Sequence, residues 1–414
     1  MRRLIPALYI LLTASTAIAQ TTATNLDTVI IADNRIKEPY GKQNRNIEIL
    51  DHKQIMALPV KTANELLSYV GGVDIRQRGP AGTQADIAID GSTFDQVLVL
   101  VNGVKMSDPQ TGHHMMNLPI PLGAIERIEI VRGPAARTYG VNALAGAVNI
   151  VTKKPVQDEV FAQAYAGSSL KQDTANGETY FGWGAQASAA IAANKHSHIL
   201  SAAYDKGSGF RYNTAYEAYR LFYQNRIVLN ERNNIEAMGG YINNDFGANA
   251  YYAAPSDKES KEGVETAVGS IRYNYQPNSK LTISPRVSYR YNNDDYIFVQ
   301  QNPALYRNIH ETNVVTGEIQ SSYTLRKGTL GAGVECRSEH INSTNLGKRD
   351  RNNLGIFAEY KHHFSEKLNV GLGLYANKNS DYDWEVFPGI DAGYQLSYSW
   401  KIFANATSGQ RLPT

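Results

Sequence analysis

The sequence predicts an exported membrane protein in two parts, a small α+β domain followed by an antiparallel transmembrane β-barrel. Three observations predict it. An export signal opens the chain, yet no later run of 18 apolar residues exists to cross a bilayer as a helix. Residues 46–154 mix helical and strand periods. From residue 158 onward, apolar residues recur at every second position in stretches of about 10 to 14 residues, long for soluble strands. Without a membrane helix, a closed barrel is the remaining way to satisfy backbone polar groups in hydrocarbon.

Composition narrows the function classes. The 414 residues carry 41 basic and 39 acidic side chains, a net charge of +2, so there is no polybasic footprint for nucleic acid. An apolar share of 42% is too high for a disordered chain. The 26 Tyr and 34 Gly suit β-structure with aromatic girdles. A single cysteine, Cys336, excludes an intrachain disulfide and a Cys₄ or Cys₂His₂ zinc centre.

Residues 1–19 read as a cleaved signal peptide. Arg2 and Arg3 form the basic start, residues 4–14 the apolar stretch, and Ala17-Ile18-Ala19 the small-residue cleavage site before Gln20. Residues 20–45 read as a flexible polar terminus with one apolar, β-branched patch, Asp27-Thr28-Val29-Ile30-Ile31-Ala32. With no neighbouring segment to pack on, that patch is suited to joining another protein's sheet edge.

Within 46–154, Thr62 precedes a helical pattern as N-cap, with Glu65 at capping-box spacing and Gly71-Gly72 as the stop. Val97 to Val101 is a continuous apolar run, the mark of a strand buried on both faces, and Asn102-Gly103 predicts a tight turn after it. A helical turn near 122–126 and strands near 128–131 and 148–152 complete this domain.

Residues 158–414 predict 12 or 13 barrel strands. Leu281, Ile283, Pro285, Val287, Tyr289 and Tyr291 alternate with Thr282, Ser284, Arg286, Ser288 and Arg290. Leu354 to Phe364 and Leu368 to Ala376 repeat the pattern. Short turns (276–279, 365–366) are expected at one end and long polar loops (243–263, 292–308, 342–353) at the other, as in outer-membrane barrels. Closure needs an even number and paired edges, so the chain reads as the N-terminal part of a longer protein.

At this point the sequence resembles the TonB-dependent outer-membrane receptors. The densest match is Ala124-Ile125-Glu126-Arg127-Ile128-Glu129-Ile130-Val131-Arg132-Gly133-Pro134, then Tyr139-Gly140, then residues 146–152, which look like the family's plug motif. Gly71 to Ile75 and Val97 to Val104 are similar to two further plug elements, and residues 408–414 to a mid-barrel motif. The resemblance implies an α+β plug inside a barrel of about 22 strands, with roughly 200 residues beyond this chain. It identifies residues 27–32 as a TonB box. It implies partners TonB, with its inner-membrane energising complex, and outer-membrane lipid of a Gram-negative bacterium. The implied activity is active uptake of a large scarce ligand, cobalamin or a ferric siderophore, with no catalytic residue. The alternative is a passive porin or adhesion barrel, in which plug and TonB box would be superfluous. No Gly-x-Ser-x-Gly nucleophile motif favours an outer-membrane enzyme.

The resemblance also assigns residues. Arg132 and an arginine of an Ile-Arg-Gly motif hold the family's plug to barrel glutamates; here the second motif reads Ile89-Asp90-Gly91. Glu335 and Glu359 are the expected partners of Arg132. Ligand contacts are expected from plug apices: Gln84, Thr93, Phe94, Gln110, His113 and His114. The two adjacent histidines read as polar contacts, because they point apart and lack a third metal ligand in view. Asp245, Asp257, Asp294 and Asp295 are candidate loop ligands for a structural Ca²⁺, by analogy with B12 receptors, although their spacing has no EF-hand order. No other cofactor is expected.

Overall fold

A computed structural model describes residues 30–31, 36, 38–110, 112–253, 256–397 and 400–412. The expected signal peptide and residues 27–29 and 32 of the apolar patch lie outside the described residues. The inner domain comprises β1 (Ile47–Asp51), α1 (His52–Ala57), α2 (Ala63–Leu67), β2 (Val73–Gln77), β3 (Ala85–Ile89), β4 (Val97–Val101), β5 (Val104–Lys105), β6 (Ile125–Arg132), α3 (Ala136–Tyr139) and β7 (Gly146–Thr152). Five of its strands form one sheet in the order β1-β6-β7-β4-β5, with β4 and β7 parallel and the other pairs antiparallel.

The local signals explain these elements. Thr62 accepts the backbone N–H of Glu65 at 3.2 Å as N-cap of α2, while the Glu65 carboxylate reaches the N–H of Lys61 rather than that of Thr62. The Val97–Val101 run is buried at every position, as a strand between two neighbours and two packed faces requires. Each such aliphatic side chain contributes about 1.5–3 kcal/mol. Asn102 and Gly103 both adopt positive φ, 47° and 76°, and join β4 to β5.

The wall comprises β8 (Glu159–Gln172), β9 (Thr179–Ala192), β10 (His196–Gly207), β11 (Tyr216–Asn230), β12 (Asn233–Gly247), β13 (Lys261–Tyr275), β14 (Leu281–Ile297), β15 (Arg307–Leu325), β16 (Gly328–Ser343), β17 (Gly347–His363), β18 (Leu368–Asn379), β19 (Trp384–Gln395) and β20 (Lys401–Thr407). These thirteen strands pair antiparallel, each with its sequence neighbour, in one sheet whose edges are β8 and β20. Among the described residues no helix is long and apolar enough to cross a membrane. On β11, Tyr216, Ala218, Arg220, Phe222 and Gln224 are buried, while Tyr219, Leu221 and Tyr223 face out. That alternation puts polar groups inside and aromatic and aliphatic groups on the outer surface.

The inner domain sits within the concavity of this sheet. A Cβ at Gly123 would strike Phe161 on β8 and Ser188 on β9, whereas one at Gly373 on β18 or Gly389 on β19 would strike Arg137. Strands from one end of the sheet to the other therefore touch the same domain. The long polar loops come out shorter than expected. The ladder continues to Gly247, resumes at Lys261, and runs to Ile297; only 344–346 separate β16 from β17. Polar side chains on both faces hid these strand ends, because alternation disappears where neither face is apolar while backbone pairing persists.

Candidate functional site

Charged groups from the wall hold the inner domain. Arg137 is 2% exposed, and its Nη2 lies 2.5 Å from Asp391 Oδ2 on β19 and 3.2 Å from Glu359 Oε1 on β17. Arg45 lies 3.9 Å from the same glutamate. Lys105 reaches Glu335 on β16 at 2.5 Å. Arg286 donates to the carbonyls of Asn102 and Gly103 at 3.0 and 2.9 Å, and to Glu318. Buried guanidinium groups are tolerable here because each meets a carboxylate or a backbone carbonyl.

The expected pairing of Arg132 with Glu335 or Glu359 is corrected. Arg132 stays within its own domain, 2.8 Å from both Asp90 and Glu48, and donates to the Gly71 carbonyl. Asp90, standing where the family motif has arginine, draws Arg132 away from the wall. Gly72 (φ +74°) makes this possible, since a Cβ there would lie 2.5 Å from Asp90 Oδ1 and 2.7 Å from Arg132 Nη1. The role expected of Arg132 toward Glu359 passes to Arg137, which sequence reasoning missed. Its signal was a lone charge among small residues in Ala135-Ala136-Arg137-Thr138, within the plug motif. In the same motif Gly133 has φ +76°, Tyr139 is buried, and Gly140 faces Tyr375.

Among the described residues, two large cavities lie at opposite ends of the domain. The larger, about 1080 Å³, opens among the short turns and is lined by charged and polar groups including Arg127, Lys153, Arg226, Glu236 and Arg272. Ile30 and Ile31 border it. Contrary to the expectation of an unpacked patch, Ile31 is fully buried in a cluster with Ile47, Ile49 and Val131. Ile30 pairs with Pro39, and its carbonyl accepts from Arg127 at 3.0 Å.

The second cavity, about 640 Å³, opens at the long-strand end, where Tyr252, Tyr296, Phe298 and Tyr306 form an aromatic rim above Gln110, His113, His114, Glu262, Asp294 and His310. An aromatic lining with a few convergent polar groups marks this cavity, rather than the larger one, as the candidate ligand site. Its floor is positioned from the wall. Arg290 pairs with Asp108 at 2.9 Å and donates to the His114 carbonyl at 3.1 Å, and Asn117 donates to Thr266 at 2.7 Å.

The expected contact residues divide. Gln110 donates to Asp294 Oδ2 at 2.7 Å, and His114 Nε2 lies 3.4 Å from that atom. His113 also lines the cavity, but its Nδ1 lies 2.9 Å from Asp86 rather than on Asp294, with its ring 4.3 Å from Phe94. Gln84 is buried on Asp86, and Thr93 caps the turn that starts at Phe94; neither lines the cavity. Burial alone favours a neutral His114, but Asp294, with Glu262 and Asp108 behind it, outweighs this and raises its pKa to about 9.

The four candidate Ca²⁺ aspartates do not converge. Asp294 faces inward, whereas the adjacent Asp295 faces out and holds Arg307 at 2.6 Å. Asp245 pairs with Lys261 at 3.0 Å, and Asp257 accepts the N–H groups of Ala250, Tyr252 and Ala253. Instead His114, Glu262 and Asp294 come together, their ligand atoms all within 4.8 Å of one another. What the sequence did not reveal is the aromatic rim and the convergence of Glu262 and Asp294 on His114.

Comparison with known proteins places this architecture. Residues 41–147 match the TonB-dependent receptor plug domain, and residues 197–414, more than half the chain, match the TonB-dependent receptor-like β-barrel. The Vibrio cholerae vitamin B12 transporter BtuB is 37% identical over 133 residues, 32% of this chain and 22% of that protein. Its Vibrio vulnificus counterpart is 31% identical over 161 residues, 39% of this chain and 26% of the transporter. These matches therefore span about a quarter of the relatives' length. The fold matches the siderophore receptor PirA of Pseudomonas aeruginosa with a TM-score of 0.70 at 18% identity, covering 90% of this chain and 63% of that one. The ferric citrate transporter FecA matches at 0.69 and 16%, covering 89% and 63%.

Proposed function

From the premise that this chain belongs to the TonB-dependent receptors, we propose that it forms the plug and part of the barrel of an outer-membrane active importer. The observation that carries this reading is a plug seated inside the strand wall by Arg137, Lys105 and Arg286, with a cavity at each end. The outer cavity takes the ligand. The inner one is bordered by Ile30 and Ile31, where TonB pulls. Uptake is then a coupling between two sites, with ligand occupancy at one end altering release of residues 27–32 at the other. Work done from the periplasm frees the plug from its ionic anchors. Cobalamin or a ferric siderophore is the ligand class we propose, since the curated relatives are named as B12 transporters and the fold neighbours as siderophore receptors and a ferric citrate transporter.

The test is deletion of residues 27–32 in the receptor expressed in cells. Uptake of labelled cobalamin or ferric siderophore should stop while surface binding persists. Undiminished uptake after the deletion would favour the passive barrel and reject energy coupling.

A further inference from the structure

We propose that His114, Glu262 and Asp294 bind a divalent transition-metal ion of the Zn²⁺ type, taken up as the free hydrated ion, with its fourth position open to the outer cavity. The inference stands apart from the identity of the transported ligand. Strand register builds the site. Glu262 lies opposite Tyr296 across β13 and β14, and Asp294 is two residues from Tyr296, so both carboxylates face inward on neighbouring strands. The plug supplies the imidazole from a loop that Arg290 and Asp108 hold in place.

Charge and geometry favour an ion here. All three side chains are buried, and the two carboxylates lie within 4.8 Å of each other. Among the described residues no Lys or Arg pairs with either; His114 is the partner of Asp294. Two carboxyl groups and one imidazole converge here as three donors, and a dication would bind by displacing the protons they hold. Asp294 is 4% exposed, and its Oδ1 has no hydrogen-bond partner; nor has Gln110 Oε1 beside it. A tetrahedral Zn²⁺ with bonds of about 2.0–2.1 Å needs donor atoms about 3.3–3.4 Å apart. His114 Nε2 and Asp294 Oδ2 already stand 3.4 Å apart. Glu262 completes the set by a small side-chain movement. Outer partners are in place, Gln110 on Asp294 and the Tyr252 hydroxyl on Glu262.

The donor set decides the metal class. One imidazole nitrogen with two carboxylates suits a transition ion, whereas Ca²⁺ seeks six to eight oxygens. Three protein ligands with one open position match Zn²⁺ sites that accept an exchangeable fourth ligand. Because one ligand comes from the plug and two from the wall, occupancy would tie the two bodies together at the outer end.

The test is calorimetric titration of the metal-free receptor in detergent micelles with ZnCl₂, followed by CoCl₂ with visible spectroscopy. One equivalent of Zn²⁺ should bind, and Co²⁺ should give the intense absorption of a tetrahedral centre, abolished by added Zn²⁺. Glu262→Gln and Asp294→Asn should each weaken binding at least tenfold, and Asp245→Asn should leave it unchanged. The Co²⁺ spectrum of the unmodified receptor stands even if a variant misfolds. Absence of saturable Zn²⁺ binding, equal competition by Ca²⁺, or an octahedral Co²⁺ spectrum would overturn the proposal. None of these results bears on cobalamin or siderophore uptake, which the deletion of residues 27–32 addresses separately.

Discussion

Replacing Arg137 with alanine should loosen the plug from the barrel wall. The substitution leaves Asp391 and Glu359, 5% and 12% exposed, without the guanidinium between them. Removing one partner of a buried ion pair costs about 3–5 kcal/mol. Asn44 still donates to Asp391 at 2.7 Å, and Arg45 remains 3.9 Å from Glu359. The lower end, about 3 kcal/mol, therefore applies. At about 1.4 kcal/mol per decade this is a roughly hundredfold effect. Hydrogen exchange in micelles reads it directly, because the Tyr139 and Gly140 amides bond to Ala135 and Ala136 in the helix that carries Arg137. Their protection should fall about a hundredfold, and the apolar pair Arg137→Met with Asp391→Leu should recover only part of it, because Glu359 keeps Arg45 alone. Arg132→Ala should cost only about 1 kcal/mol, since its partners Asp90 and Glu48 are 55% and 41% exposed. Protection within about twofold of the parent in Arg137→Ala, or an equal loss in Arg132→Ala, would refute the assignment of the anchor to Arg137.

Two further predictions follow from named contacts. Gly140→Ala places a Cβ 2.8 Å from the Tyr375 ring at φ +83°, so denaturant unfolding of the plug should show a loss of about 1–3 kcal/mol. In the metal-free receptor, the His114–Asp294 pair should stabilise the plug in a pH-dependent way. His114 has its pKa raised from 6.5 to about 9, so its contribution is complete below about 6.5 and is lost as pH rises through about 9. Plug stability measured between pH 7 and 10 should fall, and Asp294→Asn should flatten that fall; an unchanged slope in the variant would contradict the pairing.

The fold was legible wherever one face of an element is apolar. Period-two alternation around Leu281 to Tyr291 and Leu354 to Phe364 marks strands that the structure contains. Where both faces are polar, as from Asn292 to Asp295, the same ladder read as loop. The anchor was half legible. The plug motif located the right turn, but Asp90 captures Arg132, and no local pattern says which of two arginines five residues apart turns outward. The outer site was least legible, because His114 finds its partners on two strands far along the chain. Adjacent histidines carry no signal for a third ligand that only strand register supplies.

The length of the wall strands bears on the proposed uptake role. At about 3.3 Å per residue and a tilt near 45°, the 19 residues of β15 rise roughly 45 Å, against an apolar band about 25 Å tall. The hairpins of β14 to β17 thus stand above the lipid as a chimney of hydrogen-bonded backbone. For the import role proposed above, such a chimney would be a fixed gauge, admitting cargo by diameter because paired backbone cannot fold down over it. On the proposed uptake role, closure over a seated guest would fall to the irregular stretches 248–253 and 298–306 at its lip, and stapling those two together should trap cargo without stiffening anything below.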